Sequence, residues 1–174
     1  MSEVDPVVIA EYALQWPIMF EAEARELRAA FRPDAIEVEH IGSTAVPGLG
    51  AKPIVDILLG AAALAQIERH IATLEAHGYR YVPEFETQLP QRRYFEKPKQ
   101  GPEQFHLHAV EWHGAFWRDQ LRFRDALRND PTLCEQYLCL KRRLAVEYYR
   151  DRAAYTDAKA PFIERTLSEL SRPA

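Results

Sequence analysis

Residues Glu39-His40-Ile41-Gly42-Ser43-Thr44-Ala45-Val46-Pro47-Gly48-Leu49-Gly50-Ala51-Lys52-Pro53-Ile54-Val55-Asp56-Ile57-Leu58-Leu59 carry the decisive pattern. The segment Ile36–Ile41 alternates apolar and polar side chains, the period of a half-buried strand. The stretch 42–53 holds three glycines and two prolines in twelve residues and reads as a loop. From Ile54 to Leu59 every residue but Asp56 is apolar, as in a strand covered on both faces, and Gly60 reads as its end. A strand thus runs into a Gly-Ser-Thr turn, passes a lysine, and re-enters a buried sheet on a strand bearing one acid.

On the N-terminal side, Val7-Val8-Ile9 is a short strand candidate. Trp16-Pro17 opens a helix, with proline suited to the first turn. Phe20, Ala24, Leu27 and Phe31 recur along it at helical spacing until Pro33 ends it. On the C-terminal side, Leu64, Ile67, Ile71 and Leu74 mark an amphipathic helix closed by Gly78. Tyr79–Val82, Arg92–Glu96 and Phe105–Glu111 read as strands, and Pro83–Gln91 as a mobile polar loop. After Gly114 the pattern is helical only. Phe116, Trp117, Leu121, Phe123 and Leu127 form one face, and Asp130-Pro131 caps and starts the next helix. Leu133, Tyr137, Leu140, Leu144 and Tyr148 form its stripe. A last helix from Ala153 to Leu170 is interrupted at Pro161. The expectation is one α+β domain over 1–174: a mixed β-sheet core over 1–113, with helical C-terminal packing over 114–174.

Composition bounds the function. With 174 residues, 47% hydrophobic and 28% charged, the chain is globular rather than disordered. A net charge of -4 and a pI of about 5.9 argue against a globally basic nucleic-acid binder. No apolar run approaches the roughly 20 residues that span a bilayer. Met1-Ser2-Glu3-Val4-Asp5-Pro6 lacks the basic-then-apolar layout of a signal peptide, so a cytoplasmic location and no membrane partner are expected. Cys134 and Cys139 lie on different faces of a helix and are expected to be reduced. Lys141-Arg142-Arg143 reads as a solvated face.

Several residues could carry chemistry. Gly42 lets the backbone approach a ligand closely, Ser43 and Thr44 offer hydroxyls, and Lys52 offers a charge for phosphate. The same residues also suit a plain tight turn. Known phosphate motifs do not match: Lys52 is preceded by Ala51 and followed by Pro53, so there is no Walker loop, and Pro53 stands where a dinucleotide fingerprint needs glycine. Ala45 likewise breaks a Gly-x-Ser-x-Gly elbow. A lone acid in an apolar strand needs a metal, a cation or several donors, so Asp56 is either a functional group or the anchor of its loop. His106 and His108 share one strand face, and with a carboxylate they could bind a divalent transition metal; they could equally be satisfied strand histidines. His40 lies directly before the loop. Arg92, Arg93 and Tyr94 combine charge with an aromatic ring, and Tyr155 and Lys159 share a helical face that a site could borrow.

Taken together the motifs resemble the GrpB family, almost end to end. They comprise Tyr12-x-x-x-Trp16-Pro17, Val38 to Leu49, Ala51 to Ile57, Arg93-Tyr94-Phe95, His106-Leu107-His108, Phe123-Arg124-Asp125, Tyr137-x-x-Leu140-Lys141 and Tyr155-Thr156-x-x-Lys159-Ala160-x-Phe162-Ile163. The resemblance implies a nucleotidyltransferase-like fold, similar in its core to the polymerase-beta-type enzymes. Those carry a Gly-Ser turn, matched by Gly42-Ser43, then a strand with two acids spaced by two. Asp56 matches one acid; the companion place falls on Ile54 or Leu58, neither of which binds Mg²⁺. Two-metal phosphoryl chemistry needs at least two carboxylates, so either Glu111 or His106 completes the site or the domain binds without transfer. Related domains fused to dephospho-CoA kinase suggest a nucleotide-linked role.

The resemblance therefore implies one of two functions: a nucleotidyltransferase-like protein acting on a nucleoside triphosphate or other phosphorylated metabolite, or a non-catalytic module binding the same ligands. Asp56 and Lys52 would be the catalytic pair, with Asp56, His106 and His108 holding Mg²⁺, Mn²⁺ or Zn²⁺. Gly42, Ser43, Thr44, Lys52, Arg93, Tyr155 and Lys159 would contact the ligand. Gly42, Ser43, Lys52 and Asp56 should then line one cleft, and a histidine should approach Asp56.

Overall fold

A computed structural model describes residues 6–98 and 104–171, so the Met1–Asp5 reading lies outside the described residues. The elements are α1 (Gln15–Ala30), β1 (Glu37–Ile41), β2 (Val55–Ala61), α2 (Leu64–Arg69), α3 (Ile71–Ala76), β3 (Arg80–Tyr81), β4 (Arg92–Lys97), β5 (Phe105–Glu111), α4 (Ala115–Asn129), α5 (Pro131–Glu147), α6 (Arg152–Asp157) and α7 (Ala160–Leu170). The five strands form one mixed sheet in the order β1-β2-β5-β4-β3. β2 and β5 run parallel, with Asp56 opposite His106 and Leu58 opposite His108; the other neighbours are antiparallel. This is an α+β fold, as expected. Among the described residues no helix is long and apolar enough to cross a membrane.

The two faces of β2 explain the layering. Val55, Ile57 and Leu59 point to one side, where Phe20, Ala24 and Leu27 of α1 and Ile67 and Leu74 of α2 and α3 close a core. On the other side Leu58 packs with Ile41, Val110 and Trp117, under α4. Further out, Leu127, Tyr137, Leu138 and Phe162 join α4, α5 and α7 to Val46 and Leu49 of the long loop. Asp130 caps α5 by accepting from the Thr132 and Leu133 amides, and Pro161 sits in the first turn of α7.

Some local expectations are corrected. Val7–Ile9 is no strand: the Val7 amide donates to Tyr149 O, and the chain then makes one isolated bridge, Ala10 to Ala51. Gly60 does not end β2 but lies within it. A Cβ there would stand 2.1 Å from Trp112 Cδ1 and 2.7 Å from Trp117 Cζ3, so two indoles press where a side chain would be. The helix after Gly60 breaks at His70. There the imidazole Nδ1 meets Gln66 O at 2.9 Å, competing with the His70 amide, which bonds Ile67 O instead; the ring stacks on Phe31. Pro83–Gln91 contains a 3-10 turn, Pro83–Thr87, rather than an irregular loop. The Phe116-to-Leu127 face divides, Phe116, Trp117 and Leu121 packing beside the sheet and Phe123 and Leu127 against α5 and α7. Lys141 is not solvated but 2% exposed, because it falls on the buried stripe between Tyr137 and Leu144.

Candidate functional site

Where β2 begins, the face of the sheet opposite α1 is left uncovered by apolar side chains, and a cavity of about 650 Å³ opens there. Ser43, Thr44, Lys52, Asp56, His106, His108, Tyr155 and Lys159 line it. Gly42 sits behind Asp56: its φ of 69° and ψ of -172° belong to a region that only glycine occupies readily, and a Cβ there would lie 2.4 Å from Asp56 Oδ2. The turn can therefore press its backbone onto the carboxylate.

Arg93 does not join this group. Alternation on β4 sends it to the opposite face, where Nη2 donates to Glu68 Oε1 at 2.6 Å. Arg92 faces the cavity instead. Glu111 is also distant, at the far end of β5, where Oε1 accepts from the Leu64 amide. Thr44 lines the cavity, but its hydroxyl shares a 3.0 Å hydrogen bond with His40 Nε2. His40 is stacked on Phe20, and burial lowers its pKa to about 4, so it is a neutral supporting residue.

Asp56 is 29% exposed at the cavity floor. His106 Nδ1 and His108 Nε2 each stand 3.4 Å from its Oδ1. Burial opposes its ionisation, but hydrogen bonds from these two imidazoles outweigh burial and hold the carboxyl well below the usual range. Behind His108, Arg92 Nη1 stands 3.0 Å from Nδ1. Guanidinium only donates, so Nδ1 accepts, and the neutral ring carries its proton on Nε2, directed at Asp56. Burial lowers the His108 pKa, in keeping with the neutral ring.

The opposite wall is cationic. Lys52 and Lys159 lie over the Tyr155 ring, 5.4 and 4.5 Å from its centroid. Burial, then repulsion from Lys52, brings Lys159 down to about 8. Lys141 donates to Gly50 O, and burial, then repulsion from Lys159, brings it to about 7. With Arg92 and Arg152 the cavity has five cationic side chains against the carboxylates of Asp56, Glu96 and Asp157. In a chain of net charge -4 this is a local reversal of sign, suited to an anion. Lys141 was detectable as the residue four after Tyr137 and three before Leu144 on a buried helix face; Arg92 needed the phase of β4; the reach of Arg152 left no sequence signal.

The donor set does not fit the expected metals. Two positions either side of Asp56 stand Ile54, in the cavity wall, and the sealed Leu58, so the strand offers no second carboxylate. Glu96 lines the cavity but binds Arg80. A metal-bound imidazole normally donates its other N–H to an acceptor, whereas His108 meets a donor there. Among the described residues no three His, Cys, Asp or Glu side chains are grouped to hold an ion.

Comparison with known proteins shows the family and the fold. Residues 6–169 match the family model described as GrpB protein. The chain is 30% identical to the glutamate-rich protein GrpB of Alkalihalophilus pseudofirmus over 168 residues, 94% of this chain and 95% of that protein. It superposes on the crystal structure of the conserved protein GrpB from Enterococcus faecalis with a TM-score of 0.84 and 32% identity, covering 93% of this chain and 96% of that one. The Cid1 poly(U) polymerase, solved with Mg 3'-dATP bound, shares the fold at a TM-score of 0.56 and 14% identity, covering 86% of this chain and 49% of that one.

Proposed function

The chain belongs to the GrpB family, and from that premise we propose that its cavity binds a phosphorylated small molecule of the nucleoside-triphosphate class. The observation that carries this reading is the excess of cationic side chains around a Gly-Ser turn in an acidic protein. Lys52 and Lys159, both set over the Tyr155 ring, would take phosphate oxygens by charge-assisted hydrogen bonds. Ser43, which shares a hydrogen bond with Tyr137, would add a hydroxyl. Binding is preferred to nucleotidyl transfer because Ile54 and Leu58 stand where a second acid would be needed.

Thermal melting with a panel of nucleoside triphosphates, the matching nucleosides and inorganic tripolyphosphate tests this. A ligand at about 100 times its Kd adds about 2.7 kcal/mol, or roughly 5–10 °C for a chain of this size. Triphosphates should raise the Tm and nucleosides should not. Lys52→Ala should weaken binding by roughly 10- to 100-fold, the worth of one charged hydrogen bond, with the unliganded melt little changed. Equal shifts from nucleoside and triphosphate would remove the phosphate from the account, and no shift from any phosphorylated compound would remove the function.

A further inference from the structure

Asp56 ought to be costly. A carboxylate in the floor of a protein cavity needs compensation. Both of its oxygens are closely surrounded. Oδ1 faces two imidazole nitrogens at 3.4 Å, and Oδ2 lies against the Gly42 backbone with no room for even a methyl group. The compensating charge stands one residue further out. Arg92 reaches His108 at 3.0 Å, and its guanidinium carbon is 4.9 Å from the Tyr94 ring centroid, 5.8 Å from Phe116 and 6.0 Å from Phe85. Three aromatic rings flank the part-buried guanidinium at the cavity edge, and their faces favour a cation electrostatically. Its Nε is buried without an acceptor among the described residues, so the group is held there by His108 and the rings rather than by a carboxylate of its own.

We propose that Arg92 is the resident counter-cation of Asp56, acting through the His108 tautomer it imposes, and that the cavity takes its phosphorylated ligand without a divalent metal. The proposal rests on the phosphate-binding reading above. Arg92 is a positioning residue: it fixes Nε2–H of His108 toward Asp56, and an ion at Asp56 would have to displace that proton while Arg92 still opposed the imidazole from behind.

Two measurements decide it. First, metal-stripped wild-type protein is titrated calorimetrically with inorganic tripolyphosphate in EDTA, then with Mg²⁺ or Mn²⁺. Binding should be present in EDTA and no more than about threefold tighter with metal; greater tightening, or binding only with metal, overturns the proposal. Second, long-range ¹H–¹⁵N spectra of the ligand-free wild type should show His108 protonated on Nε2 and bare on Nδ1, unmoved by Zn²⁺ or Mn²⁺, and Arg92→Leu should release that single tautomer. A wild-type Nδ1–H tautomer, a metal-shifted His108 signal, or an unaltered tautomer in Arg92→Leu overturns it. If tripolyphosphate and nucleotides all fail to bind in every condition, the phosphate reading falls, while the tautomer and metal titration still judge Arg92.

Discussion

Gly42→Ala strikes the point where backbone and carboxylate meet. The new methyl carbon would stand 2.4 Å from Asp56 Oδ2 and 3.0 Å from Cβ and Cγ, whereas ordinary contact begins at 3.4 Å, so the carboxylate must retreat by about 1 Å. Its contacts to His106 and His108 are already 3.4 Å long, and a retreat of that size breaks at least one. Holding alanine in this glycine conformation costs about 1–3 kcal/mol, and losing a charged hydrogen bond about 1.5–3 kcal/mol. The sum, roughly 2.5–6 kcal/mol, should lower Tm by about 5–24 °C. In an Asp56→Ala background Oδ2 and Cγ are gone, so the backbone strain of about 1–3 kcal/mol should remain with only the 3.0 Å contact to Cβ beside it. Urea denaturation of the four proteins, followed by tryptophan fluorescence, gives the cycle, with an expected coupling of about 2 kcal/mol. Equal cost of Gly42→Ala in both backgrounds would refute the claim that the turn is packed onto Asp56.

Three further outcomes are expected. His40 is 7% exposed and its pKa falls from 6.5 to about 4, so the unfolded chain takes up a proton that the fold resists; stability should drop by about 3 kcal/mol as pH falls through that window. Urea midpoints between pH 7 and 4 should show His40→Gln losing less over this range than wild type, and parallel profiles would contradict this. Lys141 goes from 10.5 to about 7, so the unfolded chain holds the proton over that span and stability should rise from pH 7 to pH 10. Lys141→Met should remove that rise and stabilise the protein at pH 6 by about 1–3 kcal/mol, read from denaturation curves at both pH values; a persisting rise would assign it elsewhere. Gly60→Ala should cost about 1–3 kcal/mol by forcing Trp112 and Trp117 apart, with an altered emission spectrum; an unchanged melt and spectrum would show that the indoles yield freely.

The sheet was legible because its strands carry local patterns: alternation in β1, the apolar run of β2, and the His-x-His face of β5. The failures share a cause, which is that a residue's meaning depended on a partner far along the chain. Gly60 looks like a breaker until Trp112 and Trp117 are laid on it. Arg92 and Arg93 are indistinguishable in sequence, and only the pairing of Arg92 with Val110 and Tyr94 with His108 sets which one faces the site. Lys141 was masked by its neighbours Arg142 and Arg143, although helical spacing from Tyr137 placed it inward. Asp56 was readable as a charge in need of compensation, but the compensator, Arg92 behind His108, required the tertiary structure.

The parallel pairing of β2 with β5 also has a kinetic meaning. Asp56 and His108 are 52 residues apart, and they meet only when the β1–β2 ribbon docks on the β3–β4–β5 ribbon. Each ribbon is antiparallel and can form from closer contacts, but their docking must close a long loop, at an entropic cost that grows with the logarithm of its length. The cavity thus comes into being only with a non-local step of folding. A ligand that needs both ribbons can neither nucleate the chain nor rescue a half-assembled one; it acts after the fact, by slowing unfolding. Occupancy of the cavity would therefore lengthen the lifetime of the finished protein while leaving its rate of formation unchanged.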